Sequence, residues 1–205
     1  RTLTEAGAAM EEPNGTERAE RLTAVLSVIY LLYNEGYSAT AGSEWMRPTL
    51  CDEALRLGRI LAALAPRDSE VHGLSALMEL QSSRLAARVA YDGSPILLLD
   101  QDRARWDPVH IMHGLAALDR AQTLSTELGP YALQAAIAAC HARAETAQAT
   151  DWVSIADLYQ RLARVTGSPV VEVNRAVALG MAYGPEAGLA LLEQLDGLPA
   201  LRSYH

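Results

Sequence analysis

The stretch TDWVSIADLYQRLARVTGSPVVEVNRAVALGMAYGPEAGLALLEQL, residues 150–195, decides the fold. Thr150 or Asp151 offers a side-chain cap, and Trp152, Ile155, Leu158, Tyr159 and Leu162 then follow at i, i+3, i+6, i+7 and i+10, which is helical spacing. Ser168-Pro169 starts a second helix with Val170, Val173, Ala176 and Val177 inward, and Gly184-Pro185 starts a third that ends near Gly197. Proline at the first helical position lacks only an N–H that has no intrahelical partner there, so each X-Pro pair marks a start.

Working back from this stretch, the same punctuation recurs. Gly129-Pro130 opens a helix to about Ala147, and Asp107-Pro108 opens one to about Leu128. Asp68 or Ser69 begins a long helix through about Val89, with Val71, Leu74, Leu77, Met78 and Leu85 on one stripe. Thr49 caps the helix before it, with Leu50, Ala54, Leu57 and Leu61 at helical spacing and Pro66 as its stop. Asn14 or Thr16 caps the first helix, which runs to about Asn34, with Gly36 as a left-handed C-terminal residue. From Leu22 to Tyr33 nearly every face of it is apolar, as in a helix buried between neighbours. Tyr91 to Pro95 reads as a turn, and Ile96 to Leu99 as an extended piece or a short helical crossing. The expected fold is therefore all-α. About eight helices, as antiparallel hairpins of roughly 35 to 40 residues, stack as a right-handed solenoid like tetratricopeptide (TPR) repeats, without their strict sequence pattern.

Bulk composition narrows the function. Half of the 205 residues are hydrophobic, enough for a substantial core, and the formal net charge of −8 is repelled by phosphate backbones, which argues against direct nucleic-acid binding. The two cysteines, Cys51 and Cys140, lack metal or redox spacing and read as reduced thiols. The first twelve residues have no signal-peptide pattern, and the longest apolar run, Ala24 to Tyr33, is far short of the roughly 20 residues that span a bilayer.

Catalytic patterns are weak. His110 and His113 stand one helical turn apart without the intact H-E-x-x-H motif, Cys140-His141 are adjacent rather than on one helix face, and Ser75 lacks a nucleophile elbow. The expectation is a protein that is not an enzyme, with no catalytic, cofactor or metal residues. Two polar groups stand out instead. One is Asn34-Glu35-Gly36-Tyr37 at the end of the first helix. The other is Asp100-Gln101-Asp102-Arg103-Ala104-Arg105-Trp106, with Arg84 and Arg88 one turn apart and able to bind its carboxylates bidentately. These residues either cap helix ends and pin an irregular crossover, or form a polar groove for a peptide or small ligand with Trp106 and Tyr37 as stacking walls.

The strings RLTAVLSVIYLLYNEGYSA, LCDEALRLGRILAAL and EVHGLSALMELQSSRLAAR, followed by LLLDQDRARWD, GPYALQAAIAACHA, TDWVSIADLY and SPVVEVNRAVA, resemble the C-terminal extension of one group of bacterial RNA polymerase sigma factors. These are extracytoplasmic-function (ECF) sigma factors with a large TPR-like helical domain after their promoter-binding regions. The resemblance runs from about Arg21 to His205. It implies that residues 1–15 are the tail of the preceding sigma region 4 and a linker, and that residues 16–205 are a TPR-like regulatory and interaction domain cut at its C-terminus. It implies a cytoplasmic protein acting in transcription initiation. Its partners would be RNA polymerase core, the sigma regions of the same protein, or a regulatory protein, and it would reach promoter DNA only through the upstream regions. The alternative function is a domain that senses a small ligand or peptide and controls the sigma factor.

Overall fold

The computed structural model describes residues 14–38 and 46–195. Of the tail and linker assigned above to residues 1–15, residues 1–13 lie outside the described residues, as does the stop near Gly197. The described residues form eight α-helices and no strands: α1 Gly15–Tyr37, α2 Pro48–Leu64, α3 Ser69–Ser82, α4 Pro108–Leu124, α5 Pro130–Arg143, α6 Trp152–Thr166, α7 Pro169–Tyr183 and α8 Pro185–Leu195. Between α3 and α4 runs a crossover with three short 3-10 turns and one isolated antiparallel bridge, Val89 to Pro95.

The helix starts follow local chemistry. Asn14, Asp68, Asp107 and Asp151 each accept a backbone N–H of the first turn, and Pro48, Pro108, Pro130, Pro169 and Pro185 each open a helix. Thr49 is not a cap: α2 begins at Pro48, with Arg47 before it.

Three successive clusters make the core. Leu26, Ile29 and Tyr33 of α1 pack on Cys51, Ala54 and Leu55 of α2 and on Val71, Leu74 and Met78 of α3. Ala76, Leu77 and Leu80 on another side of α3 meet Leu118 of α4 and Ala135, Ala136 and Ala139 of α5. Leu133 and Ile137 then join Ile155, Ala156 and Leu162 of α6 and Ala178 of α7.

The central helix is α3. All but four of its 14 residues are buried, including Gly73, Ser75 and Ser82, whose small size lets neighbours approach. A Cβ on Gly73 would lie 2.6 Å from the Ala132 nitrogen, so α3 and α5 touch through their backbones there. The apolar α1 has one buried face only, with Val28 64 % and Leu31 67 % exposed, so it edges the described core rather than filling its middle. Val177, expected inward on α7, is likewise exposed, because Ala176 and Ala178 supply the small contacts that face the core.

Several helix ends differ from the pattern-based reading: α4 stops at Leu124 rather than about Leu128 and α5 at Arg143 rather than about Ala147, and two further ends differ for physical reasons. Gly36 is not a left-handed cap. It lies inside α1, where a Cβ would meet the Cys51 nitrogen at 2.7 Å and the Arg47 carbonyl at 2.9 Å, and its own carbonyl accepts the Arg47 N–H at 2.7 Å. It is there for close approach of α1 and α2. The long helix expected through Val89 stops at Ser82. The Ser83 carbonyl accepts from Asp107 N–H at 2.8 Å, and the Ser83 hydroxyl donates to the Leu80 carbonyl, so the ladder gives way to a 3-10 turn, Leu85–Ala87.

Candidate functional site

The crossover brings three arginines, Arg84, Arg88 and Arg103, against two aromatic rings. Tyr37, on the last turn of α1, stacks on Tyr33 with centroids 5.7 Å apart. The Arg84 guanidinium donates from Nη2 to the Tyr37 hydroxyl at 3.0 Å, and Arg88 donates from Nη1 to the Tyr37 carbonyl at 2.5 Å while lying 3.6 Å above the Tyr37 ring. Trp106, 5 % exposed, has Arg103 over its ring at 4.8 Å and Arg84 at 5.9 Å. Arg103 ties the crossover to the end of α5: Nη1 donates to the His141 carbonyl and to the Ala144 carbonyl at 2.8 Å, and Nη2 to the Thr150 hydroxyl at 3.2 Å. Arg105 donates to the Ala86 carbonyl.

The residues singled out in the sequence are thus partly gathered. Tyr37, Arg84, Arg88, Arg103 and Trp106 form one cluster, while Glu35 faces Arg47 at 3.1 Å across the α1–α2 junction and Asn34 sits one turn before Ser38, whose N–H its carbonyl accepts. Asp100 and Asp102 are exposed and make no ion pair with Arg84 or Arg88. Asp102 instead caps a 3-10 turn by accepting from Ala104 N–H. A carboxylate keeps its hydration at the surface, whereas guanidinium planes lie well on aromatic faces, and the chain sorts them accordingly. Tyr37 and Trp106 are therefore covered by guanidinium groups rather than standing as the two walls of one open slot. Gln101 is buried and donates from Nε2 to the Ile96 carbonyl at 3.1 Å, which holds the crossover closed on itself.

Three groups were missed by pattern reading: Glu79 and His141, which are buried, and Glu70, which is half-buried. Glu79 of α3 is 4 % exposed; its Oε1 accepts from Arg59 Nε and Nη2 at 3.0 and 2.8 Å, and its Oε2 lies 2.6 Å from His110 Nδ1. His110 thus hydrogen-bonds from α4 to α3, while His113 stands exposed. Glu70 of α3 accepts the Tyr131 and Ala132 N–H groups at 2.8 and 3.1 Å, capping α5, whose own cap residue Gly129 has no side chain to do so. Burial raises the Glu70 carboxyl above its ordinary value, against the lowering effect of those N–H groups. The one signal for Glu70 was the side-chain-free Gly129-Pro130 start, which demands a donor-satisfying group from elsewhere.

His141 is the third. Its ring is 8 % exposed and meets Trp152 edge-on with centroids 5.3 Å apart. Burial, with the positive charges of Arg84 and Arg103, pushes the imidazole down to about 4, so it is neutral near pH 7. Its Nδ1 is buried without a hydrogen-bond partner, as are Gln101 Oε1, Arg103 Nε and Trp106 Nε1 around it. The Cys51 thiol is pushed up to about 11 by burial, which suits an unreactive core residue. No helix among the described residues is long and apolar enough to cross a membrane, and none of their acidic, histidine and cysteine side chains gather as a group of three able to hold a metal ion.

No solved structure matches the chain. A protein of Rhizobium meliloti (strain 1021) described as uncharacterized is 51 % identical over 201 residues, which is 98 % of this chain and 47 % of that relative. The chain thus spans about half the length of the curated relative it matches. Residues 21–122, from within α1 to near the end of α4, match the model of a family of unknown function, DUF6596.

Proposed function

We propose that the chain is a non-enzymatic interaction module that regulates an ECF sigma factor in the bacterial cytoplasm. It contacts the promoter-binding sigma regions of the same protein or RNA polymerase core, and its helices stack in a TPR-like right-handed array. The motif resemblance supports the sigma-factor assignment. The observation that carries the interaction role is a groove of ≈ 560 Å³ between α1 and α2, lined by the apolar Leu22, Val25, Leu61 and Leu64 and by Arg18, Arg21, Arg67 and Asp68, with Leu64 71 % exposed. The outward Val28 and Leu31 add further exposed apolar side chains along α1, and exposed apolar surface of this kind marks a protein partner. The net charge of −8 suits a basic partner, such as a DNA-binding helix held in check, at surfaces other than this groove, whose lining carries three arginines and one aspartate.

Titrating the chain against the purified sigma regions and, separately, against core polymerase tests this reading. Binding to one of them is expected, weakening at least roughly tenfold between about 0.05 and 0.5 M salt as charge attraction is screened. Leu64→Asp, at an exposed position, is expected to weaken it further while leaving the helical content unchanged. Binding that ignores salt, or no binding to either, contradicts the proposal.

A further inference from the structure

A cavity of ≈ 310 Å³ lies between α3, the crossover, α5, α6 and α7. Apolar side chains, among them Leu77, Ile137 and Leu162, make much of its wall. Arg84 and His141 also line it, with Asn174 at the α7 side. In a chain with eight more acidic than basic residues, this wall holds a guanidinium and contains neither Asp nor Glu.

Arg84 uses one hydrogen bond, to the Tyr37 hydroxyl, and has no carboxylate partner among the described residues. A guanidinium has five N–H donors, so four remain for another acceptor. The His141 ring, 8 % exposed, lines the same cavity, but its unpaired Nδ1 has no accessible surface toward it. Arg84 is half-buried, and a guanidinium there without a counter-charge favours an anion over a neutral group. An anion bidentate on Arg84 supplies that counter-charge, and the apolar wall then receives the rest of the molecule. We propose that this cavity binds a small carboxylate with a compact apolar body, its anionic head on Arg84 and its body against Leu77, Ile137 and Leu162.

The site bridges α3, α5, α6 and α7, so occupancy ties the crossover and the later helices together. This inference stands apart from the sigma-factor reading and needs no partner protein to test.

Thermal melts of the chain with hexanoate, hexanamide and inorganic phosphate are the experiment. At about ten times its Kd, hexanoate is expected to raise Tm by roughly 3–6 °C, with phosphate giving a smaller shift and hexanamide none. Saturation should move the imidazole signal of His141, identified by its loss in His141→Phe. Arg84→Met is expected to abolish the shift. Because that change also removes the bond to Tyr37, Asn174→Leu is the second variant: it narrows the cavity from an exposed helix position and leaves Arg84 and His141 in place, and it too should abolish the shift. A hexanamide shift equal to that of hexanoate, a phosphate shift as large, a hexanoate shift that survives Asn174→Leu, or no hexanoate shift at all would each overturn the proposal.

Discussion

Arg59→Met is expected to destabilise the fold by roughly 3 kcal/mol, because it strands the buried Glu79 carboxylate with the His110 ring as its one remaining side-chain hydrogen-bond partner. Arg59 makes two of the three hydrogen bonds to Glu79, both to Oε1, and is itself half exposed, so the desolvation cost of the pair sits on the carboxylate. Methionine keeps most of the apolar stem and removes the charge, which separates the ionic effect from a packing effect. Replacing both partners, Arg59→Met with Glu79→Met, removes the buried charge as well and is expected to recover more than half of the loss. Urea unfolding of the two single variants and the double variant measures the coupling. Additive losses would show that the pair contributes nothing specific.

The second large effect is a dependence on pH through His141. Its folded value of about 4 lies below the ordinary 6.5, so between these values the unfolded chain binds a proton that the folded chain does not. Stability therefore falls as pH is lowered from 6.5 to 4 and levels off below, by roughly 3 kcal/mol over the whole window. Glu70 works in the opposite sense: its raised value means that the folded state takes up a proton first, so acidification through its range favours folding. Asp107 and Asp151, held low by first-turn N–H groups and the Ser154 hydroxyl, lose their contribution only at more acidic pH. Comparing wild type with His141→Phe cancels these shared contributions, since Phe keeps an aromatic ring beside Trp152. The variant is expected to lack the loss between pH 6.5 and 4, and parallel curves would contradict the burial of a neutral imidazole.

The helix starts were legible because they are written in adjacent residues: Asp107-Pro108, Gly129-Pro130, Ser168-Pro169 and Gly184-Pro185 all precede helices that begin at the proline. The order of burial was not legible. The apolar run of α1 reads like the middle of a core, yet α3, with Gly73, Ser75 and Ser82 among its residues, holds the middle because small side chains admit neighbours on several sides. Ends set by distant acceptors were also hidden, as at Ser83, whose carbonyl is taken by Asp107.

The site was half legible for the same reason. Tyr37, Arg84, Arg88, Arg103 and Trp106 announced themselves as charge and aromatic density in a polar crossover, and they meet. Their pairing was not readable, since Asp100 and Asp102 stay in water while the guanidinium groups take aromatic faces and carbonyls. Glu79 and His141 matter through partners 20 and 38 positions away, Arg59 for the first and Arg103 for the second, and no local pattern encodes such separations.

Transcription by purified core polymerase, comparing the proposed full-length sigma factor with a version truncated ahead of Glu17, tests the proposed regulatory role most directly. Removing the helical module is expected to change promoter-specific transcription while the proposed sigma regions stay folded. Equal transcription with and without the module, across the same range of salt, would contradict it.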